Sequence, residues 1–309
     1  MPKIIKNTID PELHPFVSAF PELDISPDSL SQTRALIRAF TPKPLTPAPQ
    51  EVLIPSHFAG APQIRALIYL PKGTPKAPVM VQFHGGGFVL GDADDSHFHN
   101  RKMSTELGIY IIAVDYRLAP EHPYPCAVED GESVVHWVMK HGEEFGFDRD
   151  KIIISGESAG GGIAASLAQS LSLNTEVKIN SLHLIYPMLD PNTAQKSDED
   201  QTYFVWSQDN NRQAWADYSG VLGPDLRAQL PISQPTLAGF PPTIIHIGTE
   251  DLFYAENLAF AYKLRAASIK TELYSYAGGV HGFPMAVGTK ISNDFWELYS
   301  SGIKNALPS

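Results

Sequence analysis

The sequence predicts an α/β fold, in which a sheet of buried, mostly parallel strands carries helices on both faces. Near-continuous runs of valine, isoleucine and leucine recur along the chain, as in "APVMVQFH", "IYIIAVDY", "KIIISG" and "PPTIIHIG". Such runs are typical of parallel strands that are buried on both faces. Helix-like stretches alternate with the later strands, among them "GESVVHWVMKHGEEFG" and "FYAENLAFAYKLRAA". This alternation of strand and helix indicates the α/β class.

Two segments depart from the alternation. The first stretch of about fifty residues is short and broken, and it ends in the proline-rich connector "TPKPLTPAPQ". The polar interval from Asn192 to Gln234 interrupts the later strands and helices with pieces such as "QDNNRQAWADYSGVLG". We expect the two segments to form a lid together.

Composition excludes several classes of protein. The 309 residues carry a net charge of −11, which disfavours a nucleic-acid partner or an anionic membrane surface. No apolar run reaches the roughly 18 residues of a membrane span, and the first residues lack a signal-peptide pattern. The single cysteine, Cys126, excludes an intrachain disulfide and fits a reducing compartment. We therefore expect a cytoplasmic protein without a membrane span.

The motif "GESAG" predicts a nucleophilic serine at Ser158. It follows the strand-like run "KIIISG" and precedes a helix-like stretch. G-x-S-x-G between a strand and a helix presents the serine on a sharp turn, and the flanking glycines keep neighbouring backbone from colliding. The helix N-terminus adds unpaired N–H groups and the positive end of a dipole.

A serine nucleophile needs a base, and the base needs a group that orients it. His281 follows the last strand-like run in a glycine-rich loop, "SYAGGVHGF". The run "TIIHIGTEDLF" delivers Glu250 and Asp251 to the loop after another strand. We prefer Asp251 as the acid and keep Glu250 as the alternative. The order Ser158, Asp251, His281 matches that of α/β-hydrolases.

The triple glycine in "HGGGF" predicts an oxyanion hole. Glycines leave backbone N–H groups uncovered, and a tetrahedral oxyanion needs such donors aimed at it. We expect the amides of Gly85 and Gly86 to donate together with that of Ala159. A phosphate-binding turn would need a G-x-G-x-x-G or a Lys-Ser/Thr pattern, which this loop lacks.

These motifs together resemble the hormone-sensitive-lipase-like α/β-hydrolases, also called bacterial family IV esterases. The resemblance rests on "HGGGF", "DYRLAPEHPYP", "GESAGG", "GTEDLF" and "HGF", and it covers nearly the whole chain. It implies an α/β-hydrolase core of about eight mostly parallel strands beneath a helical cap. The implied division is a first cap part at 1–48, core at 49–189, a second cap part at 190–235, and core again at 236–309.

The resemblance also implies roles for single residues. Ser158 is the nucleophile, His281 the base and Asp251 the orienting acid, while His84 braces the glycine loop. No cofactor is expected. Glu157 departs from the family, in which aspartate or threonine is more frequent at that position, and this leaves the substrate preference open.

Two further sets of residues are singled out with less support. Phe204, Trp206 and Leu252 are candidates for the lining of a substrate pocket. The cluster "DADDSHFHN" at 92–100 suggests a metal site, but acidic residues at a helix start are favourable without a metal. We therefore expect no metal.

The predicted function is hydrolysis of short- to medium-chain carboxylic esters through an acyl-enzyme. An amidase, a lactonase or a specific deacetylase would use the same triad, and nothing in the sequence separates them. A small-molecule receptor on the same fold is the alternative from another class, although a receptor could dispense with the base. The expected partner is a small-molecule ester, and a homodimer is left open.

Overall fold

An eight-stranded sheet forms the centre of the computed structural model, which describes residues 7–40, 47–71, 73, 76–195 and 203–307. Apolar side chains cover both faces of its inner strands, as the valine and isoleucine runs predict. The strands are β1 (Gln50–Ile54), β2 (Ile64–Tyr69), β3 (Ala77–Phe83), β4 (Tyr110–Asp115), β5 (Phe147–Glu157), β6 (Ile179–Ile185), β7 (Thr243–Gly248) and β8 (Thr271–Tyr276).

The strand order is β1-β2-β4-β3-β5-β6-β7-β8. Only β2 pairs antiparallel with its neighbours β1 and β4, and the remaining pairs are parallel. The predicted fold class is therefore confirmed. β3 and β5 are adjacent, with Phe83 in register with Gly156. Because parallel strands end at the same edge of a sheet, the loops after β3 and β5 lie side by side there.

Helices cover both faces of the sheet. Phe83 faces Gly131 on one side, whereas its neighbour Gln82 accepts a hydrogen bond from Asn100 on the other. The helices are α1 (His14–Ala19), α2 (Leu30–Phe40), α3 (His97–Leu107), α4 (Cys126–Phe145), α5 (Ala159–Leu171), α6 (Gln208–Ser219), α7 (Tyr254–Ala266) and α8 (Lys290–Ala306). Of the helices in the described ranges, none combines the length and the apolar character that a membrane crossing requires.

The two segments of the predicted cap touch each other and the core. Asn210 of α6 donates to the Leu23 carbonyl at 3.1 Å, which joins the second segment to the first. Arg34 of α2 donates to the carbonyls of Val89 at 2.8 Å and Ala119 at 2.7 Å. These contacts support a cap, whose boundaries remain a prediction. Residues 1–6, 41–46 and 196–202 of the predicted cap lie outside the described residues.

Two histidines in the core give the fold a sensitivity to acid. His183 of β6 and His246 of β7 are fully buried. Burial lowers the pKa of both to about 3, whereas an unfolded histidine titrates near 6.5. As the pH falls below about 6.5, these two histidines therefore bind protons in the unfolded chain but stay neutral in the folded chain. We expect the free energy of unfolding to be largest above this pH, and to fall by about 2 kcal/mol per histidine at about pH 5.

Urea unfolding at about pH 7.5 and pH 5 checks this expectation. His183→Gln and His246→Gln keep a polar side chain without an ionisable ring. Between about pH 7.5 and pH 5, the free energy of unfolding of each variant is therefore expected to fall by about 2 kcal/mol less than that of the wild type. His141→Gln on α4 is the matched control, because His141 lies near the surface beside Glu144. A pH dependence shared by all four proteins would contradict the assignment to the buried pair.

Candidate active site

Ser158 lies on a strained turn between β5 and α5. Its φ of 53° and ψ of −121° are unusual for a residue other than glycine. The Ser158 amide donates to the Ile185 carbonyl at 2.9 Å, which ties the turn to β6. A Cβ on Gly156 would lie 2.1 Å from the Gly160 carbonyl oxygen, and one on Gly160 would lie 2.3 Å from that of His84. Both glycines of the motif are therefore required by close backbone approach.

Ser158, His281 and Asp251 form a continuous chain of polar contacts. His281 Nε2 lies 3.0 Å from Ser158 Oγ, and His281 Nδ1 lies 2.8 Å from Asp251 Oδ2. The second Asp251 oxygen accepts the Phe253 amide at 2.9 Å, which fixes the orientation of the carboxylate. All three side chains are buried, with exposures of 4%, 6% and 3% for the serine, histidine and aspartate. Such an arrangement can transfer the serine proton to the imidazole.

The alternative acid, Glu250, points elsewhere. Its Oε2 accepts the Thr8 hydroxyl at 2.8 Å near the surface. Asp251 alone of the two neighbouring carboxylates contacts His281. The geometry therefore favours the preferred acid over the alternative.

The glycine loop requires a correction of the predicted donors. The Gly85 amide is directed at Glu157 Oε1, at 3.4 Å, and so does not point at the space beside Ser158 Oγ. Gly86 and Gly87 follow with φ of +115° and +61°. Among the described residues, no hydrogen bond is donated by the Gly86, Gly87 or Ala159 amides. Gly87 therefore joins the candidate donors, and Gly85 leaves them.

His84 contacts the loop from behind. Its Nδ1 lies 2.7 Å from the Gly85 carbonyl oxygen, and its ring stacks on Tyr116 with centroids 4.2 Å apart. The Tyr116 hydroxyl donates to the His84 carbonyl at 2.9 Å. These contacts hold the backbone at the start of the loop, in keeping with the bracing role that the resemblance implies.

Glu157 places a carboxyl group beside the nucleophile. The Tyr186 hydroxyl donates to its Oε2 at 3.3 Å, and the Gly85 amide approaches its other oxygen. Burial raises the pKa of Glu157 above its ordinary value. The Tyr186 ring also packs against His281 at a centroid distance of 4.6 Å. The sequence reading missed Tyr186, because it lies after an ordinary apolar strand and no motif marks it.

A cavity of about 470 Å³ opens beside Ser158. Its lining includes apolar side chains of the predicted cap, among them Leu23 and Trp206. Of the three predicted lining residues, only Trp206 borders the cavity. Phe204 and Leu252 are buried elsewhere in the core, which corrects the prediction for both.

The acidic side chains of the stretch 92–100 contact other residues of this chain. Asp94 binds Arg65 at 2.7 Å and His97 at 2.9 Å, and the Asp92 amide donates to Asp95 at 3.1 Å. Within the part of the chain that the structure describes, no group of three or more histidine, cysteine or acidic side chains is arranged to hold a metal ion.

Comparison with known proteins places the chain in a family. Residues 80–285 match the family described as having an alpha/beta hydrolase fold. The esterase LipI of Mycobacterium tuberculosis is 32% identical over 294 residues, which cover 90% of this chain and 88% of LipI. The carboxylesterase NlhH of the same species is 29% identical, with 91% of each chain covered. The structure of a bacterial heroin esterase is similar with a TM-score of 0.90 at 28% identity, covering 98% of this chain and 99% of that one. The chain belongs to the hormone-sensitive-lipase-like family of alpha/beta hydrolases, as its motifs predict.

Proposed function

We propose that this protein is a serine carboxylesterase that hydrolyses short- to medium-chain esters through an acyl-enzyme. The observation that carries the proposal is the line of contacts from Ser158 through His281 to Asp251, at 3.0 and 2.8 Å. The names of its relatives, an esterase and a carboxylesterase, support the same reaction.

The reaction proceeds in two displacements at Ser158. Its Oγ attacks the ester carbonyl carbon while its proton passes to His281 Nε2. The tetrahedral intermediate collapses, the C–O bond to the alcohol breaks, and the alcohol leaves with the proton from His281. Water then attacks the acyl-enzyme, giving its proton to His281, and the acid departs as Ser158 recovers its hydrogen. Asp251 holds the imidazole tautomer and stabilises the imidazolium that forms in each half.

The oxyanion is stabilised by the amides of Gly86, Gly87 and Ala159. Gly86 and Gly87 hold positive φ angles, of 115° and 61°, which glycine adopts readily. Ala159 opens α5, so its amide adds the positive end of the helix dipole.

Gly86→Ala is expected to lower kcat by about 10²- to 10³-fold, as for the loss of one oxyanion donor. The new Cβ would lie 2.2 Å from the Leu90 carbonyl oxygen. The loop must therefore shift, and its N–H groups would no longer point at the oxyanion. Gly108→Ala is the matched control, because Gly108 also has a positive φ, of 66°, but has open space around it. Steady-state kinetics and melting temperatures of both variants check this. A raised KM with unchanged kcat in Gly86→Ala would instead assign the loop to substrate binding.

A substrate panel tests the proposed function. 4-Nitrophenyl esters of increasing acyl length are compared with the matching 4-nitroanilides and with simple lactones. We expect ester turnover with a maximum at short or medium chains and little anilide cleavage. Preferential cleavage of anilides or lactones would assign the same triad to an amidase or a lactonase. Tight ligand binding without any turnover would favour a receptor.

A further inference from the structure

The cavity continues past Ser158 into the protein interior, between the sheet and the helices α3 and α8. We call this extension the inner arm; it is lined by Gln82, Asn100, Met103, Ser155, Trp296 and Tyr299. Gln82 of β3 and Ser155 of β5 are register partners, so their side chains face the same side of the sheet. Asn100 of α3 covers that side through its contact with Gln82. The inner arm therefore lies beneath the strand end that carries Ser158.

Polar groups interrupt the apolar lining of the inner arm. Ser155 Oγ and the Tyr299 hydroxyl form a hydrogen bond of 2.7 Å with each other. Asn100 Nδ2 donates to Gln82 Oε1 at only 3.4 Å. Gln82 is 8% exposed, and its Nε2 has no hydrogen-bond partner among the residues that the structure describes. Gln82 lines the cavity, so a ligand that fills the arm and displaces water without pairing this amide would bind at a cost in free energy. Gln82 therefore favours a ligand that brings a hydrogen-bonding group to this depth.

Aromatic rings form the wall of the inner arm on the side of α8. Phe295 and Tyr299 stack with centroids 5.5 Å apart and planes 19° apart. His99 of α3 stacks on Trp296 at 4.3 Å, and this pair also borders a hollow on the outer surface. The stacked pair of His99 and Trp296 thus lies between the inner arm and solvent. Aromatic walls pack well against another ring in offset or edge-to-face geometry.

The polar group that fits Gln82 is a neutral hydroxyl. A hydroxyl both donates and accepts, so it matches whichever end of the amide faces the arm. A carboxylate is disfavoured, because among the described residues no lysine or arginine lines the cavity, and Asp95 and Glu157 do. An alkyl chain would leave the amide unpaired.

An ester attacked by Ser158 has an acyl part and an alcohol part, and either could extend into the inner arm. The alcohol leaves with a proton from His281, and Gly282 and Met285 beside this histidine also line the cavity. The acyl group stays on Ser158, above the arm. Resting on the proposed ester hydrolysis, we propose that the inner arm selects aromatic acyl groups that carry a hydroxyl at the far end of the ring, and that Gln82 recognises this hydroxyl.

A matched pair of substrates tests the proposal. Ethyl (4-hydroxyphenyl)acetate and ethyl (4-methylphenyl)acetate have nearly equal size, and the methylene group insulates the carbonyl from the ring substituent. We expect the wild type to show at least a tenfold higher kcat/KM for the hydroxyl compound, because the methyl analogue leaves Gln82 unpaired. Gln82→Met, similar in length but apolar, is expected to reduce the ratio of the two kcat/KM values to about one. Ser104→Ala is the matched control, since Ser104 is a buried polar residue of α3 that bonds the Tyr69 carbonyl and does not line the cavity.

The outcomes separate this proposal from the ester hydrolysis on which it rests. Equal kcat/KM values for the pair in the wild type, a preference for the methyl compound, or turnover of neither would overturn the assignment of the inner arm. This comparison needs no variant, so it stands even where Gln82→Met fails to fold, which circular dichroism reports. An unchanged ratio in folded Gln82→Met would overturn the role of Gln82. Failure of the wild type to hydrolyse 4-nitrophenyl acetate as well would overturn the esterase proposal itself.

Discussion

Ser158→Ala is expected to lower kcat for 4-nitrophenyl butyrate by about 10⁴- to 10⁶-fold while the chain stays folded. The variant keeps the histidine, the acid and the oxyanion donors, but no oxygen remains to form the acyl-enzyme, so only slow attack by water is left. Alanine differs from serine by one atom and adopts the same strained φ of 53° without a new collision. Melting temperatures close to the wild-type value are therefore expected beside the kinetic loss.

Ser170→Ala provides the matched control for this prediction. Ser170 lies on α5 as well, but its hydroxyl bonds Glu132 near the surface. The kcat of the Ser170→Ala variant is expected to stay within about twofold of the wild-type value, as for a surface substitution away from the reacting atoms. Retention of near-wild-type turnover by a folded Ser158→Ala variant would rule out a serine mechanism.

The candidate triad could be predicted from the sequence because each of its members follows a strand. Ser158, Asp251 and His281 come after β5, β7 and β8, whose apolar runs are long and unambiguous. Parallel strands end at one edge of the sheet, so residues far apart in the chain are carried to the same edge. The distances between these loops along the edge depend on the strand order, in which β5, β6, β7 and β8 are successive neighbours.

The donors of the oxyanion hole could not be assigned in the same way. Gly85, Gly86 and Gly87 are chemically identical, and a sequence does not reveal which N–H faces the nucleophile. The backbone torsions decide this, and here they depend on Glu157, which takes the Gly85 amide from the next strand. The sequence therefore indicates the loop, but not which of its three glycines donate.

The lining of the cavity could not be predicted from the sequence either. Phe204, Trp206 and Leu252 are all buried, yet only Trp206 borders the cavity, because the direction of a side chain in an irregular segment has no simple period. Gln82 stands within an apolar strand, where a single polar residue gives no local signal of function. Its position opposite Asn100 becomes evident only when α3 is placed over the sheet.

Asp251→Asn is expected to lower kcat by about 10⁴-fold, with KM changed far less. An asparagine at this position can present its NH₂ group to His281 Nδ1 and so stabilise the wrong tautomer, and it removes the charge that supports the imidazolium. The present carboxylate lies 2.8 Å from Nδ1 and is 3% exposed, so no water can take its place.

Glu250→Gln is the control that the chain itself offers, since the two acids are neighbours in one loop but only one contacts the histidine. Glu250 accepts the Thr8 hydroxyl near the surface, and its substitution is expected to change kcat by less than about threefold, as for an exposed hydrogen bond. Steady-state kinetics of the two variants on the same 4-nitrophenyl ester decides between the acids. If Glu250→Gln were the impaired variant and Asp251→Asn the active one, the orienting role would pass to Glu250, and the loop after β7 would have to rearrange before the serine could react.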